Sequence, residues 1–168
     1  MRGWMQLGGL TFFGAPIHVH WTVLLALGAM APFAVSNLPY TVLFMACYLA
    51  IIFVHEFGHA FVAWRLGLKV DSIGVTILHG WCAFEAPDDE WPVVLVAWGG
   101  VGAQVILALP ALAVFLLLGD RDWGYWTPVI VFLGYLNMAL VAVNLLPDDD
   151  LDGHIAWRVV PLWLGRRA

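Results

Sequence analysis

The sequence predicts an all-α membrane protein: one domain of about four transmembrane helices, with a short membrane-associated β-hairpin between the second and third. Three observations carry this expectation. Hydrophobic residues make up 62% of the 168 residues and charged residues 11%, where a soluble domain has roughly 45–50% and about 25%. Four apolar runs each approach the ~20 residues that a helix needs to cross the hydrocarbon core of a bilayer. The stretch between the second and third runs alternates with the two-residue period of strands. A soluble domain of this size has too little interior to hide so many apolar side chains. Disorder is excluded on the same grounds. With 7 Lys and Arg and a net charge of −5, nucleic-acid binding is excluded as well. The two cysteines, Cys47 and Cys82, cannot build a disulfide framework.

The first expected span is Ile17 to Val35, with Pro32 inside it; a membrane helix tolerates proline better than a soluble one. Ser36, Asn37 and Pro39 mark a turn. The second span, Tyr40 to Leu66, is interrupted by His55, Glu56 and His59. Residues 67–92 form the hairpin region. There Ile73, Val75 and Ile77 alternate with Gly74, Thr76 and Leu78, His79-Gly80 turns the chain, and Trp81 to Phe84 returns it. Asp88, Asp89 and Glu90 read as a solvated loop. The third span is Val93 to Leu118, and the spacing of Gly99 and Ala103 suits close helix packing. The fourth, Pro128 to Leu146, ends at Pro147 and three aspartates. The N-terminal segment, whose only basic residue is Arg2, does not read as a signal peptide. Most of the ten tryptophans fall near span ends, as in an interfacial belt. Four spans put Arg2, Arg65, Lys69, Arg158, Arg166 and Arg167 on one side and Arg121 on the other. Basic residues favour the cytoplasmic side, so both termini are expected there, in a multi-pass protein of the cell membrane.

The chemistry concentrates in two places. His55-Glu56-Phe57-Gly58-His59 is an HExxH pattern. On a helix the two histidines share one face and can hold one Zn²⁺, and the glutamate between them can act as base on an attacking water. Ionisable groups inside a span are expensive and mark a functional site. A catalytic zinc usually has three protein ligands. The third must come from elsewhere, and residues 144–154 offer Asp148, Asp149, Asp150, Asp152 and His154. Chemistry alone does not choose among them. His55 lies about 16 Å from the cytoplasmic end of its span. A ligand beyond the fourth span must therefore fold back, which the Pro and Gly flanking the acidic segment would suit.

These motifs resemble the site-2 protease family of intramembrane zinc metalloproteases, in a minimal form without an appended domain. The resemblance rests on the HExxH span, on Asn144-x-x-Pro147-x-x-x-Leu151-Asp152-Gly153, which is similar to the family's NxxPxxxLDG motif, and on Gly100-Val101-Gly102-Ala103-Gln104, where members often have Gly-Pro-x-x-Asn. The opening from Gly14 to Trp21 is similar to that of many members. The resemblance implies one zinc per chain on His55, His59 and Asp152, with Glu56 as general base. It implies Gln104 and Asn144 as candidates to hold substrate or oxyanion, and cleavage of transmembrane protein substrates in regulated proteolysis. It also implies that the hairpin offers an edge to an extended substrate, expected here from Ile73 to Leu78. Val101 replaces the usual proline, Gln104 the usual asparagine, and Asp148 to Asp150 a mostly apolar stretch. His18 and His20 read as headgroup-level residues, and neither His79 nor His154 as a primary ligand. The contrasting class is a non-proteolytic membrane relative that binds metal or protein segments.

Overall fold

The computed structural model describes residues 3–77, 79–119 and 122–165. Arg2, Leu78, Arg121, Arg166 and Arg167, all used in the sequence reading, lie outside the described residues. The chain is mostly helical. Strands β1 (Trp4–Phe12) and β2 (Ala15–His20) lead into helix α1 (Thr22–Arg65). Strands β3 (Val70–Val75) and β4 (Gly80–Phe84) follow, then α2 (Glu90–Leu118). The next helix, Gly124–Asn144, starts as a 3-10 turn, continues π-helical over Val129–Leu136 and ends as α3 (Asn137–Asn144). Two short helices close the chain, α4 (Asp152–Ala156) and α5 (Val159–Gly165). Three helices, Thr22–Arg65, Glu90–Leu118 and Gly124–Asn144, are long and apolar enough to cross a membrane.

Helix α1 is not one rod. A straight helix of 44 residues would run about 66 Å. Yet Ile17 and Val19, just before it, pair with Ile73 and Val75, just after it. The few residues between Arg65 and Ile73 can span at most about 25–30 Å, so the helix must fold back. The break is at Asn37, whose φ of −157° and ψ of 82° are non-helical. Its Oδ1 accepts the Tyr40 N–H at 3.2 Å, capping the second limb, and Thr41 Oγ1 donates to its carbonyl at 3.0 Å. Leu27 and Met30 of the first limb face Met45 and Leu49 of the second across an apolar groove.

The strands correct the all-α expectation. They form one four-stranded sheet in the order β1-β2-β3-β4, with β2 and β3 parallel and the other pairs antiparallel. Residues 17–20, expected as the start of the first span, are strand: Ala15 and Ile17 bury one face while Pro16 and His18 stay half-buried. The β1–β2 turn is Phe13-Gly14, with φ of 52° and 85°. Two positive φ values are what a tight two-residue hairpin needs. Phe13 is held in this unfavourable conformation against Trp64, with ring centroids 4.5 Å apart and planes 7° from parallel. β3 ends at Val75, so Ile77 belongs to the connection rather than to a strand. Because β3 is paired on both sides, it cannot take up a further strand. The expectation that residues 73–78 would pair with a substrate is therefore corrected, and the free edge on that side of the sheet is β4.

Helices α1 and α2 cross at Gly58 and Gly99. A Cβ on Gly58 would overlap the Gly99 carbonyl, and a Cβ on Gly99 would lie 2.6 Å from the Gly58 oxygen. Backbones that approach this closely exclude any side chain at the crossing. Gly99→Ala is expected to lower stability by about 1–3 kcal/mol, the range for overpacking. Gly102→Ala, which meets no atom within 4 Å, should be tolerated. Thermal unfolding of the two variants in detergent checks the contrast.

Candidate active site

The second limb of α1 carries His55 and His59 on the face turned toward α2. Gly100 makes room for them, since a Cβ there would collide with both imidazoles. The ring planes stand 88° apart, with the two Nε2 atoms 3.1 Å from one another. His59 Nδ1 donates to the Val96 carbonyl at 2.7 Å, and His55 Nδ1 donates to Gln104 Oε1 at 3.0 Å. With the proton of each ring held on Nδ1, each Nε2 presents a lone pair.

Asp152 completes the group from the far end of the chain. Helix α3 stops at Asn144, and the chain turns through Pro147. The Asp148 N–H bonds the Leu146 carbonyl at 2.9 Å and the Leu151 N–H bonds the Asp148 carbonyl at 3.0 Å. Asp152 then opens α4. Two indoles fix this fold-back: Trp98 Nε1 donates to the Ala156 carbonyl at 3.0 Å, and Trp157 Nε1 to the Leu145 carbonyl at 2.7 Å. Gly153 lies against the Leu145 and Leu146 carbonyls with no space for a Cβ.

Asp152 Oδ2 is 3.2 Å from His55 Nε2 and 3.3 Å from His59 Nε2. It is also a buried oxygen without a hydrogen-bond partner. Both statements hold, because with the ring protons on Nδ1 no hydrogen lies between these atoms. Three lone pairs facing one another at this distance repel unless a cation sits among them. A tetrahedral centre with bonds of about 2.0–2.1 Å has ligand–ligand edges of about 3.3–3.4 Å, so the triangle has the size that such a metal requires. Among the described residues, His55, His59 and Asp152 are the group placed to hold a metal ion, with ligand atoms all within 4.8 Å.

Glu56 is 3% exposed and lies beneath Gly80 of β4, where a Cβ would overlap its carboxyl group. Glu56, the three ligands, Gln104 and Asn144 all line one cavity of about 280 Å³, roofed by β4 from Gly80 to Cys82. The other sequence candidates separate. Asp150 and His79 reach the cavity wall. Asp149 instead pairs with His154 at 3.0 Å on the surface, and Asp148 Oδ1 accepts the Asp150 N–H at 3.2 Å. His18 and His20 lie across the sheet, where His18 stacks on Trp81 and His20 bonds Thr22 at 2.9 Å. Sequence reasoning missed the role of Gly100 and the bond from Gln104 to His55. The spacing of Gly100 and Gln104, one helical turn apart on the same face, was the available signal.

Fold and site together define a protein with a metal centre built among helices apolar enough for a bilayer. Known proteins agree. The chain is 33% identical to the zinc metalloprotease Rip2 of Mycolicibacterium smegmatis over 143 residues, 67% of this chain and 55% of the relative. It is 31% identical to the zinc metalloprotease Rip3 of Mycobacterium tuberculosis, over 99% of this chain and 45% of the relative. The structure matches the site-2 protease from Methanocaldococcus jannaschii with a TM-score of 0.72 at 22% identity, covering 94% of this chain and 71% of that one. No protein-family model matches. The fold is that of a site-2 protease, and the relatives similar in sequence are zinc metalloproteases by name. The chain spans about half the length of the curated relatives it matches.

Cys82 gives a local test of the cavity's polarity. Burial first, and the neighbouring Glu56 carboxylate second, push its thiol up to about 12. The thiolate is the reactive form, and a raised pKa keeps the thiol protonated through neutral pH. At pH 8, iodoacetamide should therefore alkylate Cys82 roughly a thousandfold more slowly than free cysteine, whose pKa is about 8.5. Peptide mass spectrometry of the folded and denatured protein measures the difference.

Proposed function

We propose that the chain is a zinc-dependent endopeptidase that hydrolyses peptide bonds in the transmembrane segments of membrane-protein substrates, in regulated proteolysis. The observation that carries this reading is the triangle of His55, His59 and Asp152 with Glu56 beside it in one cavity, on helices suited to a bilayer. Two imidazoles and a carboxylate with an open fourth position are a donor set for catalytic zinc. The curated relatives carry the name zinc metalloprotease. Zinc held there by His55, His59 and Asp152 would supply Lewis acidity. Glu56 takes the proton from the attacking water and delivers it to the departing amine. His59 and His55 keep their Nδ1 protons on Val96 and Gln104, so that the Nε2 lone pairs needed for binding stay aimed at one point.

A helical peptide hides its carbonyls, so the substrate must become extended before it reaches the base. Strand β4 is an unpaired edge that borders the cavity at Gly80, and an extended segment can add to it through main-chain hydrogen bonds. The two limbs of α1, then α2, then Gly124–Asn144 make four crossings of the cell membrane, with the sheet and the open side of the site toward the cytoplasm. Arg65, Lys69 and Arg158 fall on that side, as do both termini.

The purified chain should hold one zinc. His55→Ala and Asp152→Ala should each lose it, as measured by elemental analysis. Glu56→Gln should keep zinc and cut a transmembrane test substrate at least 100-fold more slowly, in line with the 10²–10⁴-fold typical of general acid–base catalysis. Substantial turnover by that variant would remove Glu56 from its role.

Topology has its own check. A reporter fused to the C-terminus should be active when it is of the kind that works only in the cytoplasm. An externally active fusion would refute the four-crossing arrangement.

A further inference from the structure

The two histidines are oriented by different means. His59 bonds a backbone carbonyl, Val96 O, which the helix itself fixes. His55 bonds a side-chain amide, Gln104 Oε1, which nothing in α2 alone would orient. A primary amide presents either oxygen or NH₂, and the two choices have opposite consequences. With oxygen toward His55, the ring proton stays on Nδ1 and Nε2 is a ligand. With NH₂ toward it, the proton moves to Nε2 and an N–H points into the triangle. Asn144 Nδ2 donates to the same Gln104 Oε1 at 3.3 Å, the pairing that goes with oxygen toward His55. Asn137, 0% exposed, donates from Nδ2 to the Gln104 backbone carbonyl at 2.8 Å, tying this turn of α2 to α3. Gln104 itself is 2% exposed, so water does not compete for its amide.

We propose that Gln104 is a positioning residue: its Oε1, held by Asn144, fixes the His55 tautomer and so sets the affinity of the metal centre. The extra methylene of glutamine is what this role uses. An asparagine at the same backbone position would end one carbon–carbon bond, about 1.5 Å, short of the ring that Gln104 reaches at 3.0 Å. This inference rests on the metal reading of the site and adds to it the residue that tunes binding.

The test uses the full chain in detergent with Co²⁺ as a coloured stand-in for zinc, titrated against a chelator. Gln104→Met keeps the length and loses the acceptor. It should weaken Co²⁺ binding about 10–100-fold, the usual cost of losing a ligand's hydrogen-bond partner, and shift the visible absorption bands. Gln104→Glu restores an oxygen that accepts from both His55 and Asn144, and should bind within a few-fold of the parent. Asn144→Leu should give a smaller loss. A folded Gln104→Met protein with parental affinity and spectrum overturns the proposal. So does a loss that Gln104→Glu fails to rescue, which would mark Gln104 as packing only. Should Gln104→Met fail to fold, Asn144→Leu decides: weakened binding supports the relay and unchanged binding refutes it. A parent protein that binds no Co²⁺ refutes the metal reading instead, so the two failures are distinct.

Discussion

The site depends on one contact, the backbone-to-backbone crossing of α1 and α2 at Gly58 and Gly99. Gly58 lies inside the HExxH turn, and Gly99 precedes the glycine that faces the imidazoles. With the backbones in contact, a side chain on α1 can reach the main chain of α2. That is how His59 reaches the Val96 carbonyl at 2.7 Å. Two turns further along α2, the same closeness puts Gln104 within reach of His55. A wider crossing would leave both rings to find partners in an apolar surround, where an unsatisfied donor costs several kcal/mol.

The rest of the site follows from that scarcity of water. Each polar group near the triangle is assigned to another: Gln104 to His55, Asn144 and Asn137 to Gln104, Trp98 and Trp157 to backbone carbonyls at the fold-back. Asp152 Oδ2 has no hydrogen-bond partner and faces two nitrogen lone pairs. Three acceptors converging on one point mark where a cation belongs. The neighbouring aspartates are not equivalent to Asp152. Asp148 and Asp149 have partners of their own on the surface, and Gly153, packed on the Leu145 and Leu146 carbonyls, holds the start of α4 against the end of α3.

What was legible in the sequence was what local spacing dictates. Histidines four apart must share a helical face, so the pair was readable before any fold was known. The fold-back at Pro147 was readable as a necessity of depth. Asn37 was marked by its proline neighbour, and it caps the second limb of α1. The missing parts were nonlocal or atypical. The β1–β2 turn escaped because its left-handed positions carry Phe13-Gly14 rather than Asn-Gly, and what stabilises Phe13 is Trp64, some fifty residues away. The parallel β2–β3 pair has no signature in either strand, because it exists only after the intervening helix reverses. The bond between Gln104 and His55 was not legible, because it joins residues 49 apart in the chain.

The sheet and the helical reversal are two aspects of one constraint. β2 can lie beside β3 only if the chain between them goes out and comes back, and once β2 occupies one side of β3 the open edge next to the site, among the described residues, is β4. The identity of the open strand is thus decided at Asn37, far from the chemistry. It also decides what faces the base. Gly80 brings bare backbone against Glu56, where any Cβ would take the carboxylate's place. On the proposed reading, a segment added to β4 therefore meets Glu56 across main chain alone. Selection along that edge then falls to positions such as Cys82 and Phe84, which line the same cavity wall, and to the substrate's readiness to unwind.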